Sequence, residues 1–237
     1  MNVPERIVPD DEEPGIVAQH VKRYAFARPL CARKRVLDAG CGTGYGTAYL
    51  AESAERVIGL DASEDALDYA RRRYRGDNVE FLRGDLHSLP FADGSFDAVV
   101  SFEAIEHLER PEAFLAEAAR VLGDDGVLVV STPRAAQTTR EPPNPYHRVE
   151  FSRADFERLL RQHFATVSMY GQRRLQTTRH RIAQRLDVLG LRKRLPIPRP
   201  ASRLVGTPPT AEATLDDYEI SPDAVHAATE LVAVCRR

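Results

Sequence analysis

The chain has almost no lysine: of its 33 basic side chains only Lys22, Lys34 and Lys193 are lysines, and arginine supplies the rest. That reads as a coding bias, so arginine abundance alone carries no argument for an anionic partner. Net charge is nearly absent too. The 35 acidic side chains leave a formal charge of −2 at pH 7, which supplies no global field to select nucleic acid or membrane. Cysteine is confined to Cys31, Cys41 and Cys235, too few and too scattered for a disulfide framework or a CxxC metal knuckle. No apolar run approaches the roughly 20 residues that span a bilayer. The opening "MNVPERIVPDDEEPG" is acidic without an apolar core, unlike a signal peptide. These absences predict a soluble, cytoplasmic protein, and 237 residues suffice for one domain with a full core.

What is present is an alternation. Short apolar runs at 35–40, 56–63, 79–85, 96–102 and 126–133 read as strands. Between them the apolar spacing predicts helices over 46–54, 64–74 and 111–122, with a further helix over 152–164 behind Ser152 as N-cap. Continuous Val/Leu/Ile strands separated by helices indicate a parallel sheet covered on both faces. Runs at 165–171 and 230–236 are candidate closing strands. The predicted organisation is an N-terminal helical cover over 1–34, laid across the sheet edge, and a core over 35–171. A basic helical insertion with a proline-rich connector follows over 172–210, then a closing strand within 211–237.

The first strand runs into "DAGCGTGYG", with Gly40, Gly42, Gly44 and Gly46 at alternate positions. Glycines there only cost conformational entropy unless a tight turn or a ligand needs the backbone bare. A P-loop would need GxxxxGK followed by Ser or Thr, and that lysine is missing. The dinucleotide pattern GxGxxG fails because Tyr45 or Thr47 stands where its third glycine belongs. The flanks narrow the choice. Asp61 ends the second strand, where an acid can hydrogen-bond both hydroxyls of a ribose. Asp85 ends the third, where a carboxylate suits an adenine amino group.

Taken in order, "VLDAGCGTG", "VIGLDAS", "GDLHSLPF", "FDAVVSFEAIEHL" and "RVLGDDGVLVVSTP" resemble the Rossmann-like (class I) S-adenosylmethionine-dependent methyltransferases, over about residues 15–174. Gly123-Asp124-Asp125-Gly126 departs from that family's usual lysine–proline turn. The resemblance implies an α/β, Rossmann-like three-layer sandwich. Its seven-stranded sheet would be mostly parallel, with an antiparallel last strand and helices on both faces. It also implies that the Gly40–Gly44 loop lies along the methionine part of S-adenosylmethionine, that Asp61 holds the ribose, and that Asp85 with Leu86 faces the adenine. Asp38, Cys41, Ala62 and Ser101 complete the expected cofactor set, with Cys41 as a small loop residue and not a nucleophile.

Ligands of open parallel sheets bind at the carboxyl ends of the strands, beside the point where strand order reverses. Residues after Phe102 would then face the transferred methyl. Among them Glu103, Glu106 and His107, spaced i, i+3, i+4, would share one face of a helical turn. Methyl transfer needs alignment of the acceptor and, for a hydroxyl, a base. His107 is the expected base, with Glu106 and His147 beside it as catalytic companions; His147 lies in "PPNPYHRVEF", which leaves the same sheet edge. Glu103, Glu106, His107 and His147 would together hold Mn²⁺ or Mg²⁺, which would lower the pKa of a coordinated substrate hydroxyl.

ExxEH followed by a later histidine before "EFSRADF" looks like the small-RNA 3′-terminal 2′-O-methyltransferases, although their asparagine-rich segment is missing here. "EAIEHL" with "STP…NPYH…EF" also resembles bacterial methyltransferases of sugars, glycolipids and natural products. The expected acceptor is a small-molecule hydroxyl. The alternatives are metal-dependent RNA 2′-O-methylation, N-methylation of an amine metabolite, and a non-catalytic binding module. In the insertion, Arg173, Arg174, Arg179, Arg181, Arg185, Arg192, Lys193 and Arg194 face only Asp187 as local acid. They read as a solvated helical face or as a surface for a phosphorylated or nucleotide-linked acceptor. The lack of Phe, Tyr and Trp among them argues against RNA. Their place near the substrate side predicts a lid or a homodimer contact.

Overall fold

The computed structural model describes residues 7–175 and 213–237. Along each central strand, successive side chains enter opposite apolar layers. Val36, Ala98, Val100, Val127, Val129 and Val232 pack on one face with Tyr24, Ala27, Leu50 and Ala54. Leu37, Val99, Leu128, Val130, Leu231 and Ala233 pack on the other with Phe114, Leu115, Phe156 and Leu160. This two-sided burial is why the strands read as unbroken apolar runs.

The elements follow in the order α1 (Pro14–Cys31), β1 (Arg35–Ala39), α2 (Tyr45–Ala51), β2 (Arg56–Asp61), α3 (Glu64–Arg73), β3 (Val79–Arg83), β4 (Phe96–Phe102) and α4 (Pro111–Val121). Then come β5 (Leu122–Ala135), β6 (Phe151–Ser152), α5 (Arg153–Leu160), β7 (Thr166–Arg174), β8 (Tyr218–Ser221) and β9 (Glu230–Arg236). The sheet order is β3-β2-β1-β4-β5-β9-β7-β8, with β6 pairing β5 off that path. β3, β2, β1, β4 and β5 are parallel neighbours. β9, the last strand, runs antiparallel to both β5 and β7, as expected. Strand order reverses between β1 and β4, so a crevice forms at their carboxyl ends. Ser152 caps α5 as predicted, its hydroxyl accepting from the Asp155 amide at 3.2 Å.

Two expectations are corrected. The sheet of the described residues has nine strands and not seven, because the short β6 and the edge strand β8 join it. β8 pairs antiparallel with residues 171–174, so Gln172, Arg173 and Arg174 extend β7 instead of opening a basic helix. Arg173 there donates to Glu219 at 3.0 and 3.1 Å, a cross-strand pair that the local charge run concealed. The rest of the predicted insertion and its proline-rich connector lies outside the described residues. As expected, α1 meets the sheet edge, where Ala18 packs on Tyr218 of the edge strand β8 and the Tyr218 hydroxyl donates to the Gly15 carbonyl at 2.9 Å, and it continues across one face of the sheet. Its buried stripe of Tyr24, Ala27 and Cys31 packs on β4, where the Tyr24 ring meets Phe102 edge-on at 4.8 Å. No helix among the described residues is long and apolar enough to cross a membrane.

Candidate active site

A cavity of about 360 Å³ opens at the carboxyl ends of β1 to β4. It is lined by Gly40, Cys41, Gly42 and Thr43 after β1, by Asp61 and Ala62 after β2, and by Gly84, Asp85 and Leu86 after β3. Phe102, Glu103, Ala104, His107 and Leu108 line it at the end of β4. The loop after β1 can lie this close to β4 because Gly40 is left-handed at φ +82°, and a Cβ on it would come 2.7 Å from that of Ala104.

The acidic residues differ in what holds them. Asp61 accepts from the backbone N–H of Gly42 and of Ser63, each at 2.9 Å, which fixes its carboxylate between two loops. A carboxylate offers about four lone-pair sites, the kind of acceptor that ligand hydroxyls need. Asp85 accepts from His87 twice, from its backbone N–H at 2.9 Å and its ring Nδ1 at 2.7 Å. The backbone bond is the largest reason its carboxyl stays below the ordinary range. Asp38 is fully buried and does not line the cavity. It anchors α1 and α2, accepting from the Tyr24 hydroxyl at 3.2 Å and the Thr47 hydroxyl at 2.6 Å. Burial pushes its carboxyl up to about 7, against the opposing pull of those two bonds. Ser101 is likewise fully buried behind the lining, its hydroxyl without a hydrogen-bond partner among the described residues.

The helical face expected for Glu103, Glu106 and His107 does not form. Glu103 is left-handed at φ 52°, and Ile105–His107 make a single 3-10 turn. The side chains therefore diverge. Glu103 and His107 line the cavity, whereas Glu106 is 1% exposed and accepts from the Thr132 hydroxyl at 3.1 Å. Burial first, then the nearby Glu103 charge, pushes the Glu106 carboxyl well above the usual carboxylate range.

The segment carrying His147 lies across this turn, with the Arg148 and Val149 amides donating to the Glu106 carbonyl at 2.7 and 3.1 Å. His107 Nδ1 is 3.0 Å from the Tyr146 carbonyl. A carbonyl only accepts, so the neutral ring carries its proton on Nδ1 and a lone pair on Nε2. His147 donates from Nδ1 to Glu150 at 2.9 Å, and its Nε2 accepts from the Asn144 amide at 3.1 Å. The two imidazoles stand 5.0 Å apart, edge to face. One ligand atom each from Glu106, His107 and His147 lies within 4.8 Å of the others. Glu103, expected as the fourth ligand, is outside this group; its carboxylate accepts from the Ser131 hydroxyl at 2.6 Å.

Sequence reasoning missed the walls that come from elsewhere: Ile7, His20 and Tyr24 from the N-terminal region, Tyr45, and Tyr146 beside the histidine it did single out. The spacing of four between His20 and Tyr24 puts both on one side of α1, but nothing local says that this side meets the cavity.

Residues 37–130 match the family model described as a methyltransferase domain. A protein of Mycolicibacterium smegmatis named as a probable S-adenosylmethionine-dependent methyltransferase is 41% identical over 160 residues, 66% of this chain and 62% of that protein. A fatty-acid O-methyltransferase of the same species is 41% identical over 103 residues, 43% of this chain and 38% of that protein. The chain thus spans less than two thirds of the length of these curated relatives. Among solved structures, an S-adenosylmethionine-dependent methyltransferase of Mesorhizobium loti has a TM-score of 0.59 at 19% identity, covering 93% of this chain and 98% of that one. That likeness is one of fold. The family match runs from β1 into β5, the part of the sheet whose carboxyl ends build the cavity, and the chain belongs to the class I, Rossmann-like S-adenosylmethionine-dependent methyltransferases.

Proposed function

We propose that this chain transfers the methyl group of S-adenosylmethionine to a hydroxyl of a small molecule, of the sugar, glycolipid or natural-product classes. The observation that carries this reading is the tautomer of His107, fixed by the Tyr146 carbonyl so that Nε2 holds a lone pair at the β4 end of the cavity. Gly40, Cys41 and Gly42 would lie along the methionine part, Asp61 and Ala62 would hold the ribose, and Asp85 and Leu86 would face the adenine. Asp38 and Ser101 act from behind the lining, where Asp38 ties α1 and α2 to the loop. When bound, S-adenosylmethionine supplies a methyl on a sulfonium, already activated toward an oxygen nucleophile, and departs as a neutral thioether. His107 Nε2 takes the acceptor's hydroxyl proton, a contribution of about 10²–10⁴-fold for a positioned base.

The charge of the lining supports a neutral acceptor. Asp61, Asp85 and Glu103 favour a sulfonium and oppose an anion. The fatty-acid O-methyltransferase relative supports oxygen as the acceptor atom, but a carboxylate is already deprotonated at neutral pH and would leave His107 without a task.

A second reading rests on a separate observation. His107 and His147 each donate Nδ1–H to an oxygen, Tyr146 carbonyl and Glu150 carboxylate respectively. That is the outer arrangement that orients metal-binding imidazoles through Nε2. With Glu106 they would supply three donors to Mn²⁺ or Mg²⁺, which would then acidify the acceptor hydroxyl in place of His107. Terminal 2′-O-methylation of RNA is tied to this alternative.

Calorimetric titration of S-adenosylhomocysteine tests the cofactor half. Binding that Asp61→Ala weakens at least tenfold is expected, and no binding by the unaltered protein would overturn the reading. Titrating Mn²⁺ into the saturated protein, with Glu106→Ala and His147→Ala beside it, decides the metal. Binding that both substitutions abolish supports the second reading; no binding removes it together with the RNA alternative.

A further inference from the structure

Among the polar side chains that line the cavity, the reading above leaves the donor of His20 unused. His20 lines it from α1, one turn before Tyr24. Behind the ring lies Arg23, fully buried, whose Nη2 is 2.9 Å from His20 Nδ1. A guanidinium has only donors, so His20 Nδ1 accepts and the ring proton sits on Nε2. Burial, then the Arg23 charge, keeps the ring neutral by holding its pKa well below the ordinary histidine value. Arg23 is itself fixed. Its Nη1 donates to Gln172 at 2.7 Å, and Gln172 donates in turn to the Gln19 carbonyl at 2.7 Å. The result is a neutral, rigidly held Nε2–H, with no hydrogen-bond partner among the described residues.

The two sides of the lining offer different hydrogen-bonding groups. Asp61 and Asp85 occupy the ends of β2 and β3. His20, backed by the Arg23 guanidinium, belongs instead to the side where Tyr24 meets Asp38 of β1 and Phe102 of β4. A ligand crossing the cavity would show hydroxyl and amino groups to the first side and an anionic oxygen to the second. Glu103, in the same lining, suits a cation next to that oxygen.

We propose that the His20 Nε2–H binds the carboxylate of the amino-acid group of S-adenosylmethionine, with Glu103 taking the ammonium of the same zwitterion. This rests on the cofactor reading proposed above. His20 is then a cofactor-binding residue contributed from outside the glycine loop, and α1 is part of the binding site as well as a cover of the sheet.

The test compares two probes by calorimetry: S-adenosylhomocysteine, and 5′-methylthioadenosine, which has the nucleoside and thioether without the amino-acid group. His20→Phe is expected to weaken S-adenosylhomocysteine about 10- to 100-fold, the range for a hydrogen bond to a charged group. It should leave 5′-methylthioadenosine within about twofold, and His20→Gln, which restores an N–H at similar reach, should recover part of the loss. Equal weakening of both probes would mean that His20 only supports the fold, and no weakening of either would mean that its donor serves something else. Each of those results overturns the proposal. If the unaltered protein binds neither probe, the cofactor reading falls first and takes this one with it.

Discussion

Ser131 holds Glu103 from two directions: its hydroxyl donates to the carboxylate at 2.6 Å and accepts the Glu103 backbone N–H at 3.2 Å. β5 thereby pins the residue after β4 in a left-handed conformation, φ 52°, that a glutamate rarely adopts. Such strain costs about 1–3 kcal/mol and is found where a site needs a side chain in one place. Here it points the carboxylate into the cavity wall and turns Glu106 away from it.

The strain can be measured by comparing two substitutions that both delete the carboxylate. Glu103→Gly is expected to be more stable than Glu103→Ala by about 1 kcal/mol in urea unfolding, because only alanine keeps the left-handed penalty. Equal stabilities would mean that the backbone there is unstrained.

Asp38 makes stability depend on pH. Its carboxyl titrates near 3.9 when unfolded and is raised by burial to about 7 when folded. Between those values the folded protein holds the extra proton, so stability falls as pH rises from about 4 to about 7 and is level above. The contribution is of the order of 4 kcal/mol. Urea unfolding at pH 5, 6 and 7 should show a shallower fall for Asp38→Asn, with a residual slope of the same sign from Glu106, whose carboxyl burial also raises. An unchanged slope would place the proton elsewhere.

His107→Ala is expected to lower kcat on a hydroxyl acceptor by about 10²–10⁴-fold. S-adenosylhomocysteine affinity should stay within about twofold. Release of S-adenosylhomocysteine over a panel of sugar, glycolipid and fatty-acid acceptors is the readout. Undiminished turnover of a carboxylate by the variant would assign the acceptor to that class and retire His107 as base.

Asn144 tests the metal reading from its neighbour. Its amide occupies His147 Nε2 at 3.1 Å, the nitrogen a cation would need. Asn144→Ala should raise Mn²⁺ affinity several-fold, and Glu106→Gln should abolish it. An affinity indifferent to Asn144 would show that His147 is not a ligand.

The parallel half of the sheet was legible because two-sided burial leaves its mark in each strand's own residues. β1 to β4 begin where the apolar runs begin. β5 was harder. It starts at Leu122, pairs with Phe96 across a register shift, and carries the polar Gly123–Gly126 stretch that reads locally as a turn. β8 gave no signal of its own, since four residues pair only because β7 presents an open edge. The spacing of Glu103, Glu106 and His107 misled for a related reason. A period of 3.6 assumes regular helix, and the left-handed residue at its start breaks the period.

The sequence by itself determined the glycine loop, the acids that follow β2 and β3, and the family they indicate, because each depends on a few adjacent residues in a fixed local geometry. Only the tertiary structure decided the protonation and direction of the polar groups. The Tyr146 carbonyl, 39 residues from His107, selects its tautomer. Arg23 selects that of His20, held in turn by Gln172 at a separation of 149 residues. Hydrogen bonds and burial act through space, so the chemistry of an imidazole or a carboxyl is set by whatever the fold brings beside it.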